Sequence, residues 1–291
     1  MKVLMALDCS SYSDTTVTEF LKRPWPSNTV VKLVSIIDLS SIQARAYLEP
    51  YIKDEVDAAE KMLGRAADKI HAKGIDHTVE VLKGYPRTAI VDYAAEQGAD
   101  LIVVGSHGRS DLARFFLGSV AKSVVGHAHC SVEIVRPSDR PEAAGGKILL
   151  ATDGSEFSVA AASFIAGRPW PQHSEVLALS VVEPVTPAID PWYSAGEAVE
   201  RIREENTRHA EEAVQTAANI IAAGGLKVEK RVITGHPRYS IVDEAREWGA
   251  DLVAAGSHGR RGVTRLLLGS VSEAVAMHAH CSVDVIRIPH K

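Results

Sequence analysis

The stretch Leu101-Ile102-Val103-Val104-Gly105-Ser106-His107-Gly108-Arg109 decides the fold, because a short apolar run enters a loop bounded by glycines. Its last five residues return 151 positions later as Gly256-Ser257-His258-Gly259-Arg260. A Gly-Ser pair follows both copies, as Gly118-Ser119 and Gly269-Ser270. Short, nearly continuous apolar runs are typical of strands buried on both faces of a parallel sheet. The repetition therefore predicts two copies of one strand-and-loop unit.

Other segments also repeat, so the repeated unit is a whole domain. Val3-Leu4-Met5-Ala6-Leu7-Asp8 returns as Ile148-Leu149-Leu150-Ala151-Thr152-Asp153, and Arg23-Pro24-Trp25-Pro26 returns as Arg168-Pro169-Trp170-Pro171. A period near 145 residues is far longer than the ~20–50 residues of solenoid repeats. Between the copies lies a segment rich in Pro, Gly and charge, which is typical of a linker. We predict a first domain over residues 1–137, a linker over 138–146 and a second domain over 147–291.

Strand-like and helix-like segments alternate within each copy. This order predicts right-handed crossovers and a parallel sheet covered by helices on both faces. We therefore predict an α/β fold made of two tandem, doubly wound domains with five strands each. In the first copy the predicted strands are Lys2–Leu7, Val30–Ile37, Thr78–Leu82, Leu101–Val104 and Ser131–Val135, and the predicted helices include Asp54–Lys73, Arg87–Glu96 and Ser119–His127.

The composition excludes several classes of protein. Hydrophobic residues make up 46% and charged residues 24% of the 291 residues, as in a globular protein with a sizeable core. The net charge of −5 argues against non-specific binding to nucleic acid or to an anionic membrane. No apolar run reaches the ~18–20 residues of a membrane helix, and the N-terminus lacks the pattern of a signal peptide. Since three cysteines do not make a disulfide framework, we predict a cytoplasmic protein.

Polar residues follow the predicted strands where open α/β sheets bind ligands, beyond the carboxyl ends of the strands. Asp8 follows the first strand, and Gly118 and Ser119 open a helix after the fourth. Glycines let a ligand approach the backbone, and the N–H groups at a helix N-terminus attract anions. The pattern favours a polyphosphate ligand, with the aspartate accepting bonds from a ribose or holding the turn. The alternative is that the glycines only form turns and Ser119 is only an N-cap.

The sequence resembles tandem universal stress proteins over nearly its whole length. The resemblance rests on the aspartate after the first strand, on Gly84-Tyr85-Pro86 and Gly98-Ala99-Asp100 with their second copies, and on the repeated pattern Gly-x2-Gly-x9-Gly-Ser. In that family the pattern is the signature of the ATP-binding branch. The resemblance implies an adenine nucleotide alpha hydrolase-like fold, ATP in both domains and a regulatory, non-metabolic role in stress response. Mg²⁺ as a companion of ATP, and AMP or a cyclic nucleotide in its place, stay open.

The resemblance also implies which residues hold the nucleotide. The positions that match contacts to adenine and ribose are Ala6, Leu7, Asp8, Ile36 and Gly105 in the first domain, and Ala151, Thr152, Asp153, Val181 and Gly256 in the second. The positions that match contacts to phosphates are Gly108, Gly118, Ser119 and Val120 in the first domain, and Gly259, Gly269, Ser270 and Val271 in the second. The loops add His107 and His258, which could line the pocket, and Arg109 and Arg260, which could pair with phosphates or remain solvated.

The two sites are expected to differ. Cys9 stands where the second domain has Gly154, and Asp111 stands where it has Gly262. A residue other than glycine is strained where the backbone needs a positive φ, and an acid repels nearby phosphates. We predict that the second domain binds ATP at least as tightly as the first.

No catalytic or metal site is predicted. The chain lacks the Gly-x-Ser-x-Gly, His-Glu-x-x-His and Walker patterns. His127-Ala128-His129-Cys130 and its second copy invite a zinc hypothesis, but a tetrahedral site needs about four ligands and no second ligand cluster is in view. Two alternatives to a binding role stay open. One is a slow ATPase or self-phosphorylating enzyme, and the other is an interaction module with vestigial sites.

The resemblance finally predicts how the domains pair. In the family, domains pair through their last strands, here Ser131–Arg136 and Ser282–Arg287. Such pairing covers sheet edges that would otherwise be exposed. We expect an intrachain pseudo-dimer related by a pseudo-two-fold axis. A homodimer of the whole chain and an unidentified protein partner stay open.

Overall fold

Each copy of the repeat folds into five parallel strands with helices on both faces. The computed structural model describes residues 1–39, 49–108, 117–138, 146–185, 196–260 and 268–288. The first domain contains β1 (Lys2–Ala6), α1 (Ser11–Leu21), β2 (Val30–Asp38), α2 (Glu49–Ala72), β3 (Asp76–Gly84), α3 (Pro86–Gln97), β4 (Leu101–Gly105), α4 (Ser119–His127) and β5 (Ser131–Val135). The second contains β6 (Lys147–Ala151), α5 (Glu156–Ala166), β7 (Glu175–Val182), α6 (Gly196–Ala223), β8 (Lys227–Thr234), α7 (Pro237–Trp248), β9 (Leu252–Gly256), α8 (Ser270–His278) and β10 (Ser282–Ile286).

The predicted α/β architecture is confirmed, and the differences lie at the ends of elements. The third strand is longer than the predicted Thr78–Leu82, because it pairs with β2 over its whole length from Asp76 to Gly84. Polar residues at its half-exposed ends carry no apolar signal, so the pairing and not the side-chain pattern sets its length. In the described chain, no helix has the length and apolar character needed to cross a bilayer.

The ten strands form one sheet in the order β3-β2-β1-β4-β5-β10-β9-β6-β7-β8. Strands within each domain are parallel, whereas β5 and β10 pair antiparallel with Glu133 opposite Asp284. The symmetric order confirms the predicted pairing of the two domains through their last strands. In each domain the strand order reverses between the first and fourth strands, which creates the crevice where such sheets bind ligands.

One layer of the hydrophobic core is shared by both domains. Val132 and Ile134 from β5 pack in the same cluster as Val283 and Val285 from β10, on the face that carries α3, α4, α7 and α8. The opposite face has a separate cluster in each domain. The shared layer makes the two halves one packed body rather than two tethered units.

Two arginines tie each domain to a helix of the other. Arg136 Nη2 donates to the carbonyl of Ala276 at 2.7 Å, and Arg287 Nη2 donates to the carbonyl of Val125 at 2.7 Å. Both carbonyls lie in the last turn of a helix, where unsatisfied oxygens and the helix dipole favour a cation. Burial lowers the pKa of the Arg136 guanidinium to about 10. These reciprocal contacts therefore act as helix C-terminal caps between the domains.

Beneath the paired strands lies a cluster of four charged residues, Arg23, Arg168, Glu133 and Asp284, which we call the junction cluster. Arg23 Nε lies 3.1 Å from Glu133 Oε1, and Arg168 Nη2 lies 3.6 Å from Glu133 Oε2 and 3.4 Å from Asp284 Oδ2. Both carboxylates are fully buried. The two arginines come from the repeated Arg-Pro-Trp-Pro segment, so each domain supplies one cation and one anion.

The junction cluster predicts that stability falls as the pH rises. Burial, with Glu133 beside it, raises the pKa of the Asp284 carboxyl from the ordinary 3.8 to about 7. Between these two values the folded protein holds a proton that the unfolded chain has released. The contribution of Asp284 to the free energy of unfolding is therefore largest on the acidic side and is lost as the pH rises through about 7.

Urea unfolding of the wild type and of Asp284→Asn measures this effect at about pH 5.5 and about pH 8. The difference between the two proteins isolates Asp284 from other titrating groups. We expect the wild type to lose more stability than the variant over this interval. Parallel pH profiles for the two proteins would contradict the prediction.

Candidate functional site

The glycine loops and the aspartates after the first strands meet in the crevice of each domain. β1 and β4 are neighbours in the sheet, as are β6 and β9. A Cβ atom built on Gly108 would lie 2.8 Å from Asp8 Oδ2, and one on Gly259 would lie 2.8 Å from Asp153 Oδ2. Residues about 100 positions apart in the sequence are therefore in contact, and a larger residue at Gly108 or Gly259 would displace the aspartate side chain.

The residue after each fourth strand is hydrogen-bonded to the N-cap residue of the next helix. Gly118 N donates to the carbonyl of Ser106, and Gly269 N donates to the carbonyl of Ser257, both at 2.8 Å. Gly118 and Gly269 are the N-caps of α4 and α8. The interpretation of Ser119 as an N-cap is therefore wrong, because the glycine occupies that position.

A glycine cap leaves the first turn of each helix without a capping side chain. Ser119 and Ser270 are the first residues of their helices and both are exposed. Backbone N–H groups in a first turn, together with the helix dipole, form a ready site for an anion. Val120 and Val271, the next predicted contacts, are half-buried against the shared core. Both phosphate-side segments thus have the geometry of an anion site.

The aspartates hold the turn that carries the site. Asp8 Oδ1 accepts from Ser10 N at 3.1 Å and from Ser13 Oγ at 3.0 Å. Asp153 Oδ1 accepts from Ser155 N at 3.0 Å, and its Oδ2 accepts from Arg260 N at 2.9 Å. Asp153 accepts two of the about four hydrogen bonds that a carboxylate can accept, so it has capacity for a ribose hydroxyl. Asp8 Oδ1 alone accepts three, because the Ser10 hydroxyl also donates to it. Of the two functions considered from the sequence, holding the turn is the one observed.

Each loop histidine contacts the serine that precedes it and an aromatic ring of the first helix of its domain. His107 Nδ1 lies 2.9 Å from Ser106 Oγ, and His258 Nδ1 lies 3.0 Å from Ser257 Oγ. Their rings contact aromatic residues of the first helix of each domain, with centroids 5.2 Å apart for His107 and Tyr12 and 5.0 Å apart for His258 and Phe157. The Nε2 atom of each histidine has no hydrogen-bond partner among the described residues.

Two predicted ribose-side residues have another reason to be glycine. A Cβ on Gly105 would lie 2.8 Å from Thr16 Oγ1, and one on Gly256 would lie 2.7 Å from the carbonyl carbon of Phe157. These glycines allow the first helix of each domain to pack against the end of a strand. Their presence in the signature is thus explained by packing within the protein, whatever ligand is bound.

The remaining predicted contacts lie along the ends of the first two strands. Ala6, Ile36 and Val181 are half-buried or packed against the shared core. Leu7 is buried in the core on the other face, and Thr152 Oγ1 donates to Ser158 Oγ at 3.1 Å. The side chains of Leu7 and Thr152 therefore make their contacts within the protein. Ala151 is buried at the end of β6.

The two sites differ in how the loop is anchored. Gly154 has φ +80°, the conformation that favours glycine, whereas Cys9 at the equivalent position is exposed. Ser155 Oγ accepts from Ser158 N and lies 3.4 Å from the carbonyl of His258, which links α5 to the loop. Ser10 makes no such cap, and its hydroxyl donates to Asp8. Arg109, Asp111 and Gly262 lie outside the described residues.

Sequence reasoning missed the serines that support each aspartate and the aromatic rings under each histidine. Ser13 and Ser158 occupy the same place in the two copies and reach Asp8 and the Thr152–Ser155 turn. Their repetition at one spacing from the aspartates was the available signal. Aromatic rings repeat at the same spacing, as Tyr12 and Phe157, but their contact with the histidines depends on how the first helix packs against the loop.

The cysteines of the His-Ala-His-Cys segments are buried or half-buried thiols. Burial raises the pKa of the Cys130 thiol to about 11 and that of Cys281 to about 12. Within the described ranges, no group of three or more metal-binding side chains is brought together.

Known proteins match the chain over its whole length. The Universal stress protein family profile matches residues 1–136 and 146–287. A universal stress protein of Mycolicibacterium smegmatis is 28% identical over 98% of this chain and 96% of its own. One of Mycobacterium tuberculosis is 30% identical over the same shares of the two chains. The crystal structure of a universal stress protein from Archaeoglobus fulgidus has the same fold, with a TM-score of 0.66, 22% identity and 98% coverage of both chains. The chain therefore belongs to the universal stress protein family, which has a role in the stress response, and it contains two of the family's domains.

Proposed function

We propose that each domain binds an adenine nucleotide, ATP in the first place, and that the protein has a regulatory role in the stress response through this binding. The observation that carries the proposal is the glycine-capped helix N-terminus beside the aspartate–glycine contact, built twice in one chain. Because the two domains are copies of one unit, the support comes from the anion-binding geometry that both copies keep and not from the repetition itself.

The phosphates would lie at the N-termini of α4 and α8. There the backbone N–H groups of the first turn and the hydroxyls of Ser119 and Ser270 would donate to phosphate oxygens. Gly108, Gly118, Gly259 and Gly269 would let the phosphates approach the backbone. Because the chain carries a net charge of −5, the attraction is local and comes from helix ends rather than from the field of the whole protein. Mg²⁺, when present, would neutralise part of the triphosphate charge.

The nucleoside would lie over the ends of the first two strands. The remaining acceptor capacity of Asp153 suits a ribose hydroxyl, and Ile36 and Val181 offer half-buried apolar surface to adenine. We propose binding rather than turnover as the function. In the described part of the site the loop histidines are engaged by serines through Nδ1 and packed on aromatic rings, which suits a structural role better than that of a mobile base.

Nucleotide binding is expected to stabilise the protein. ATP at about 100 times its Kd should raise the free energy of unfolding by about 2.7 kcal/mol for each filled site. Thermal unfolding with and without ATP and Mg²⁺ measures the shift, and calorimetric titration gives a stoichiometry approaching two. Acid extraction of freshly purified protein, followed by nucleotide chromatography, tests for ligand carried through purification. A protein with no extractable adenine nucleotide and no thermal shift would have vestigial sites, and steady release of ADP well above background would make it an ATPase.

We further propose that the protein acts in the cytoplasm through a protein partner, with the intrachain pair of domains as its basic unit. The three cysteines support a reducing compartment, since none forms a disulfide. Gel filtration with light scattering tests whether two chains associate further.

A further inference from the structure

The two helices whose N-termini carry the proposed phosphate sites are each held near the C-terminus by the opposite domain. Arg287 of the second domain donates from Nη2 to the carbonyl of Val125 in α4 at 2.7 Å. Arg136 of the first domain donates from Nη2 to the carbonyl of Ala276 in α8 at 2.7 Å. Val125 and Ala276 occupy the same place in the two copies. Each helix therefore has a proposed ligand at one end and an arginine of the other domain at the other end.

Both arginines are also held at their backbones. Arg136 N donates to Ser282 Oγ at 3.0 Å, and Arg287 N donates to Ser131 Oγ at 3.2 Å. These bonds join each arginine to the first residue of the last strand of the other domain. Arg136 is buried and Arg287 is half-buried. Because backbone and guanidinium are both bound, the contact defines where the helix end lies relative to the other domain.

The helices α4 and α8 need outside contacts to hold their positions. Each has nine residues and is about 13 Å long, at about 1.5 Å per residue. Helices of this length are not stable on their own. The N-cap residues Gly118 and Gly269 provide no capping side chain. Tertiary contacts therefore decide where the N–H groups of the first turn lie, and a shift at the C-terminal end of so short a helix also moves its N-terminal end.

The arginine charge favours an anion at the far end of the same helix. The helix dipole has its negative end at the C-terminus, where it stabilises a cation, and its positive end at the N-terminus, where the phosphates would lie. The guanidinium offsets the negative end and adds its own attraction for the phosphates, partly through protein interior that screens less than water. The geometry and the charge thus act in the same direction.

The link between each arginine and the glycine loop of its own domain does not depend on the side chain. Ser106 N donates to the carbonyl of Val135 at 2.9 Å, and Ser257 N donates to the carbonyl of Ile286 at 2.8 Å. These carbonyls belong to the residues that precede Arg136 and Arg287. A substitution of the arginine side chain leaves both backbone bonds in place. It should therefore act on the helix of the other domain and spare the loop of its own.

We propose that Arg136 and Arg287 are positioning residues for nucleotide binding, each acting on the site of the domain to which it does not belong. Arg287 holds the phosphate-binding helix of the first domain, and Arg136 holds that of the second. The inference rests on the proposed function, which places a nucleotide at both helix N-termini. It gives the pairing of the domains a task in ligand binding, because neither site is fully supported without the other domain.

The test is calorimetric titration of the full-length protein with ATP and Mg²⁺ in two backgrounds that each leave one site. Gly269→Val leaves the site of the first domain, and Gly118→Val leaves that of the second. Arg287→Gln should weaken binding by about 3- to 10-fold at the first site and keep the affinity of the second within about twofold. Arg136→Gln should give the reverse pattern. Each arginine variant is therefore the matched control for the other.

Thermal unfolding of the arginine variants separates positioning from folding, since both lose one contact between the domains. A purely structural role would lower the Tm of both variants and change the affinities of the two sites alike. Equal losses at the two sites, no loss at either site, or a loss confined to the arginine's own domain would overturn the proposal. Absence of ATP binding by the wild type would instead overturn the proposed function, and this inference with it.

Discussion

Replacing Arg168 with methionine is expected to lower the free energy of unfolding by about 3–5 kcal/mol. The guanidinium lies 3.6 Å from Glu133 and 3.4 Å from Asp284, and both carboxylates are fully buried. Without it, one cation remains for two buried acids. The change also removes the stacking of the guanidinium over Trp25, whose ring centroid lies 4.5 Å from it. Urea unfolding monitored by circular dichroism measures the loss.

Two further variants identify the cause of this loss. Adding Asp284→Asn to Arg168→Met should recover part of the stability, because the cluster is then left with one cation, Arg23, paired with one acid, Glu133. Arg208→Met is a surface control, since Arg208 pairs with Glu205 and Glu212 on the exposed face of α6 and should matter little. If Arg168→Met is as stable as the wild type, or if adding Asp284→Asn destabilises it further, the junction cluster does not work as described.

Replacing Gly269 with valine is expected to weaken nucleotide binding in the second domain by about 100-fold or more, equivalent to about 2.8 kcal/mol. A Cβ at this position would lie 3.0 Å from the Ser257 carbonyl and 3.3 Å from His258 Cα. Both are backbone atoms of the loop, so the loop has to move away from the start of α8. The N–H groups that would hold the phosphates then lose their arrangement. Calorimetric titration with ATP measures the affinity of each site.

Gly118→Val makes the same change in the first domain, where the added Cβ would lie 3.3 Å from the Ser106 carbonyl. Since we predict that the second site is at least as tight, Gly269→Val should cause the larger loss of bound nucleotide. A larger loss from Gly118→Val would reverse this ranking. Gly64→Val is the control, because a Cβ at this position in α2 would meet no atom within 4 Å, and it should leave binding unchanged.

The architecture could be predicted because apolar runs and glycine turns are local signals. β5 lies at Ser131–Val135 as predicted, since a strand buried on both faces carries an unbroken apolar pattern apart from one acid. In the sequence, nothing distinguishes that acid, Glu133, from an ordinary charged residue. Its role depends on Asp284 and Arg168, which the chain brings together from distant positions. No local pattern indicates such a cluster.

The candidate site could be located from the sequence but not described in detail. The repeated glycines and aspartates indicated which loops would meet, and Gly108 does lie against Asp8. Two details depended on tertiary contacts instead. Gly118 is the N-cap of α4 because its carbonyl accepts the first helical hydrogen bond from Lys122 N, and Gly105 is small because Thr16 packs against it. A sequence signature shows which residues are required. Only the structure shows whether a residue is required for binding a ligand or for packing within the protein.

The antiparallel pairing of β5 with β10 places the candidate sites of the two domains on opposite sides of the protein. Because all strands of one domain run opposite to those of the other, the two crevices open at opposite edges of the continuous sheet. A partner that covers the glycine loop of one domain therefore leaves the loop of the other uncovered on the far edge. The chain presents two separate surfaces at once, and any influence of one site on the other has to pass through the strands, the arginine contacts and the buried charges where the halves join.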